Sequence, residues 1–298
     1  MRLMILAALV FPLTGLASAQ SFDDYQPGMT VVTEAHAGLP GPRSVRGALL
    51  HDNGSFITST GDGPGGSDVS LLQQGSLGLT NFGLGIQAGQ NHRVADDFSV
   101  PAGQLWTIDT IVFFGYQTGS GTAASTIDQV NVRIWRGSPA DPGSAVVFGD
   151  ITTNRFDSST WTGVYRFSDM TPNDTARPVM EVVATLPAVQ LPPGTYWLDW
   201  SFGGTLASGP WQPPITVIGQ ATTGNALRFA TTTSGLWVPY EDNGTLTQQG
   251  VPFQLSGSSR PYVVTTPPQF IPSAGTWALL LLGGLVLLIA VRRSHAQG

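Results

Sequence analysis

The stretch Pro192-Pro193-Gly194-Thr195-Tyr196-Trp197-Leu198-Asp199-Trp200-Ser201-Phe202 decides the fold. Its Pro-Pro-Gly opening is a turn signal, because Pro presets φ and Gly tolerates conformations that other residues avoid. The residues that follow are rich in aromatics and have no helical spacing. A strand turns successive side chains to opposite faces. Tyr196, Leu198 and Trp200 therefore share one face, and Trp197 and Asp199 take the other. The reading is a strand over Gly194–Phe202, with one face in a core.

The same grammar recurs on both sides. Short apolar-alternating runs are expected as strands at Thr30–Thr33, Ser55–Ser59, Arg93–Val100, Trp106–Tyr116, Gln129–Trp135, Ala145–Ile151 and Gly163–Phe167. Further runs follow at Val179–Leu186, Ile215–Ile218, Ala226–Ala230, Gly235–Val238, Pro252–Leu255 and Tyr262–Val264. Turn signals such as Asp52-Asn53-Gly54, Pro101-Ala102-Gly103 and Asp242-Asn243-Gly244 separate them. Many short strands at this spacing predict an all-β chain, a β-sandwich of jelly-roll-like arrangement. There is no internal repeat, which disfavours solenoids and propellers. Residues 20–90 are Gly-rich and weakly patterned, and are expected to wrap the sandwich edge.

Composition narrows the possibilities further. The chain has 298 residues, no Cys, and only 11% charged residues. All 13 basic residues are Arg, against 16 Asp and 3 Glu. Without Cys there is no disulfide framework, thiolate metal site or thiol nucleophile. A net charge of −6 with no basic cluster argues against nucleic acid as a partner.

Both ends fall outside the expected sandwich. Residues 1–19 read as a signal peptide: Arg2, an apolar run from Leu3 to Leu16, then Ala17-Ser18-Ala19 as an A-x-A cleavage site with Gln20 as the new N-terminus. Residues 20–264 form the expected exported domain and 265–273 a Pro-rich linker. Ala274 to Val291 is an uncharged apolar block, which predicts a transmembrane helix over 274–291. Arg292 and Arg293 follow, placing the 294–298 tail in the cytoplasm by the positive-inside rule. Between residues 20 and 270 ten Arg remain against 19 acids, a formal charge of −9.

The segment Ile271-Pro272-Ser273-Ala274-Gly275-Thr276-Trp277, its apolar helix and Arg292-Arg293 resemble the IPTL-CTERM sorting signal, a family related to the PEP-CTERM signals of Gram-negative bacteria. Ile271, Pro272, Trp277, Arg292 and Arg293 carry the likeness over residues 271–293. Ser273, Ala274 and Gly275 depart from the family's Thr, Leu and Ser. The resemblance implies recognition by an exosortase-like membrane peptidase, transient anchoring in the inner membrane, and removal of the tail. It implies delivery to the cell surface or an exopolysaccharide matrix. The runs Ala95–Gly103, Phe114–Ser120 and Gly194–Trp200 also resemble an uncharacterised group of exported bacterial β-sandwich proteins, which brings no activity with it.

Chemical signals are sparse. Gly61-Asp62-Gly63-Pro64-Gly65-Gly66 matches G-x-G-x-x-G, but Pro64 removes a backbone donor and no βαβ unit surrounds it, so a surface loop is expected. Asp62, Asp68, Asp96 and Asp97 cluster loosely, and a structural calcium is an option. Asp96 and Asp97 are adjacent on a strand and face opposite sides. His36, His51 and His92 have no metal or triad spacing, and nothing in the sequence brings Glu34, Glu181 and Glu241 together as a catalytic carboxylate pair. No catalytic residue, metal ligand or cofactor is assigned. Sugars stack on exposed aromatics, so Trp197 beside Asp199 on an outer face, and Trp211 in a loop, are candidate glycan contacts. The alternative is that these Trp fill the core. The expected function is a non-enzymatic, exported, surface- or matrix-associated protein. A carbohydrate-binding module for exopolysaccharide is one alternative, and a secreted hydrolase with a non-standard site is another.

Overall fold

A computed structural model describes residues 47–263. The expected signal peptide, the Thr30–Thr33 strand, His36, Glu34 and the tail from residue 264 lie outside those residues. The chain is all-β. In order, its strands are β1 (Ala48–Asp52), β2 (Asp68–Leu72), β3 (Leu84–Gly85), β4 (Arg93–Val100) and β5 (Gln104–Gly115). They continue with β6 (Ile127–Arg136), β7 (Ala145–Gly149), β8 (Phe156–Ser168), β9 (Pro178–Leu191) and β10 (Gly194–Gly204). The last are β11 (Trp211–Gln212), β12 (Leu227–Phe229), β13 (Trp237–Pro239) and β14 (Phe253–Pro261). Among the described residues no helix is long and apolar enough to cross a membrane.

Two six-stranded sheets carry the fold. The first has the order β1-β14-β5-β9-β8-β2 and the second β13-β12-β4-β10-β6-β7. A small piece pairs β11 with β3. β2 lies parallel to β8, whereas β10 is antiparallel to both β4 and β6. The Gly-rich stretch before residue 90 supplies both outermost strands of the first sheet, β1 and β2.

The two sheets share one core. Ile108, Ile111, Phe113, Val182 and Ala184 from the first meet Val94, Phe98, Val132, Leu198 and Trp200 from the second. Alternation explains which side chains enter: Tyr196, Leu198 and Trp200 point inward, as the pattern of β10 predicts. Trp200 packs 4.9 Å from Phe113 and 5.8 Å from Phe253, ring centre to ring centre. Its indole N–H donates to Gln212 Oε1 at 3.1 Å, so the ring enters the core without an orphaned donor. Phe98 stacks with Tyr196 at 5.7 Å, extending the aromatic layer between the sheets.

Two expected strands are not strands. Ser55–Ser59 makes only an isolated bridge, Ser59 with Val69. Ile215–Ile218 runs beside it, with Thr216 N donating to Ser55 O at 3.0 Å. Both segments are apolar enough for a strand, but they lie against each other rather than in a sheet ladder. Tyr262 and Val263 likewise fall beyond the end of β14 and are not strand residues.

Candidate functional site

The face of β10 turned away from the core carries Trp197, Asp199 and Ser201. Register aligns it with its neighbours. Asp199 lies opposite Ala95 on β4 and Arg133 on β6, and Trp197 opposite Asp97 and Trp135. Arg93 of β4 lies opposite Phe229 of β12, which lies opposite Trp237 of β13. Strand pairs that sit opposite each other point to the same side. One face of the second sheet therefore gathers two arginines, two aspartates, three tryptophans and a phenylalanine.

Asp199 is its centre and is fully buried, at 0% exposure. Its Oδ1 accepts from Arg93 Nε at 2.5 Å. Its Oδ2 accepts from Arg133 Nε at 2.7 Å and from Trp135 Nε1 at 3.0 Å. Arg93 is 2% exposed, and its Nη1 donates to Ser201 Oγ at 3.2 Å. Burial and the neighbouring Arg133 draw the Arg93 guanidinium down from its usual range, while Asp199 opposes them. The Arg133 side chain, 20% exposed, lies 4.8 Å from the centre of the Trp135 ring. That is cation–π distance. A carboxylate between two guanidinium groups explains how a buried charge is tolerated here.

This corrects the expected glycan platform. Trp197 is only 8% exposed and packs with Ala95, Leu227, Trp135 and Trp237. Asp199 is locked by three donors. The outer face around Trp197 is thus a second packed layer, because Trp135 and Trp237 from other strands pack against its cluster instead of leaving Trp197 in solvent. The rings that remain half-exposed are Trp135, Trp237 and Phe229, and Phe229 lies 5.5 Å from Trp237.

Trp211 lies elsewhere. It is held in β11 rather than in a loop, half-buried against Phe56, Phe114 and Tyr116. Its Nε1 reaches Ser208 Oγ at 3.4 Å. Trp197 and Trp211 belong to separate clusters and do not form one surface.

The remaining polar candidates are tied up structurally. Asp96 is 2% exposed and accepts from Asn53 Nδ2 at 2.8 Å, Val251 N at 2.9 Å and Asp97 N at 2.9 Å. Burial, with the adjacent Asp97, pushes its carboxyl up to about 8 against the pull of those donors. Burial also raises Asp97, which bonds Asn225. His51 lies 5.3 Å from Phe253 and 6.0 Å from Phe98, and burial lowers its pKa. His92 Nδ1 pairs with Gln87 Oε1 at 2.9 Å. Asp62 bonds Ser59 Oγ, and Asp68 Oδ1 caps Gly61 N at 2.9 Å. Among the described residues no three His, Asp or Glu side chains gather as a metal would require.

Arg93, Arg133, Trp135 and Trp237 were not singled out from the sequence. The alternation of Arg93-Val94-Ala95 and of Val132-Arg133-Ile134 places each arginine off the core face. No pattern within a strand says that β4, β10 and β6 lie side by side.

No protein-family model matches this chain, and neither a curated protein nor a solved structure is significantly similar to it.

Proposed function

We propose that this chain is an exported protein of the cell surface or extracellular matrix that acts through its β-sandwich by binding or scaffolding rather than by catalysis. The observation that carries the reading is the layout of the sequence: an A-x-A export signal, a β domain, then an IPTL-CTERM-like segment with its apolar block and Arg292-Arg293. The fold is compatible with processing. β14 ends at Pro261, before the sorting segment begins at Ile271, so a cut at that segment severs no strand of the sandwich. Residues 265–273 are Pro-rich and suited to remain extended before a peptidase. The finer jelly-roll arrangement belongs to the same proposal. Its support is the repeated crossing between sheets, from β4 to β5 to β6 and again from β9 to β10.

The test is cell fractionation with intact-mass measurement. The expected result is a surface or extracellular product beginning at Gln20 and shortened near Ile271. A full-length chain in the cytoplasm overturns the reading. The carbohydrate-binding alternative is favoured by the arginine and aromatic face of the second sheet.

A further inference from the structure

The outer face of the second sheet has more hydrogen-bond donors than it uses. Asp199 is one carboxylate between two guanidinium groups, and it accepts from Arg93, Arg133 and Trp135. Arg93 Nη2 is buried and has no hydrogen-bond partner. A buried donor left without an acceptor is costly, and more so when it is charged. Arg133 bonds a protein acceptor only through Nε among the described residues, which leaves its two terminal nitrogens for an outside acceptor. Two other acids lie near this face. Asp150 is already held by the backbone N–H and hydroxyl groups of Thr152 and Thr153, at 2.6–2.9 Å. Asp97 is half-buried and bonded to Asn225. The half-exposed rings of Trp135, Trp237 and Phe229 stand on the same face.

This set of groups selects its ligand by chemistry. Surplus guanidinium N–H groups call for a carboxylate, which accepts two parallel bonds from one guanidinium. Flat rings beside them call for a ligand with an apolar face, and a pyranose ring presents C–H groups on one side. A carboxylated sugar has both. We propose that the Arg93–Asp199–Arg133 face, walled by Trp135 and Trp237, binds a uronic acid residue of an acidic polysaccharide. The carboxylate sits on the two terminal nitrogens of Arg133, the part-exposed guanidinium of the pair, and the sugar ring lies against the tryptophans. Asp199 is a positioning residue that holds both guanidinium groups in place. The proposal deepens the surface-protein reading by naming a matrix component.

The experiment is calorimetric titration of the purified full chain in mild detergent. The probes are oligogalacturonate, free galacturonate and a neutral glucan oligosaccharide of equal length. Oligogalacturonate is expected to bind, free galacturonate to bind more weakly at the same site, and the neutral oligosaccharide to bind at least tenfold more weakly than the charged one. Arg133→Gln and Trp237→Ala, checked for folding by circular dichroism, are each expected to weaken oligogalacturonate binding at least tenfold. Added salt is expected to weaken wild type more than Arg133→Gln. Absence of uronate binding by the folded wild type overturns the proposal. So does equal binding of the neutral sugar, or full affinity in folded Arg133→Gln. Fractionation judges the surface reading separately: a cytoplasmic chain that binds uronate keeps the site and loses the location, and an exported chain that ignores uronate does the reverse.

Discussion

Asp199 decides how the outer face of the second sheet is built. It stands between two guanidinium groups with no exposure of its own. Asp199→Asn keeps the shape and removes the charge, leaving Arg93 buried without compensation. The expected loss of stability is about 3–5 kcal/mol, read by urea denaturation. A loss within experimental error would mean that the arginines do not depend on it. Asp96 gives a different signal. An unfolded chain ionises this group near its ordinary value of about 4, while the folded chain holds the proton to about 8. Between those values the native state binds more protons than the unfolded state, so stability falls as pH rises across that window. Denaturation measured from pH 4 to pH 9 is expected to show this slope. In Asp96→Asn, which cannot ionise, the slope is expected to flatten.

At the scale of elements, β10 is the strand around which the second sheet assembles, with β4 on one side and β6 on the other. Trp200 is its largest inward side chain and is fully buried. Trp200→Ala removes the ring from between Phe113 and Phe253 and orphans Gln212 Oε1. The expected cost is about 3–5 kcal/mol, seen as a lowered midpoint of thermal unfolding. Gly149 closes β7 at φ +81°, in the left-handed region. A Cβ there would run into the carbonyl oxygen of Val132 on β6. Gly149→Ala is therefore expected to cost more than Gly163→Ala, whose φ is +87° but whose Cβ would meet nothing within 4 Å. The backbone conformation alone accounts for about 1–2 kcal/mol in each. Equal losses in the two variants would show that the contact with β6 is relieved without cost.

For the whole molecule, the C-terminal strand is not peripheral. β14 lies between β1 and β5 in the first sheet, and Phe253 and Leu255 enter the shared core. A chain ending after Val263 is expected to fold, whereas one ending at Gly250 loses an interior strand and is expected to be unfolded by circular dichroism. A folded chain ending at Gly250 would refute the assigned role of β14. The strands with clear alternation were legible in the sequence: Arg93–Val100 coincides with β4, and Gly194–Phe202 lies within β10. Period-two patterning is a local property, and each such strand carries it alone. β1 and β2 were not legible, because they are five-residue edge strands flanked by Gly and turn residues without a clean alternation. Ser55–Ser59 and Ile215–Ile218 were misread for the complementary reason, since apolar content does not say which ladder a segment joins. The pattern of β10 settled by itself that Trp197 and Asp199 turn away from the core. Whether that side meets solvent was decided only by the neighbours. Arg93, Arg133 and Trp135 come from other strands, and strand order is set by which sheet faces can be buried together. Alternation within one strand assigns a side chain to a face, and only packing between strands decides what that face touches.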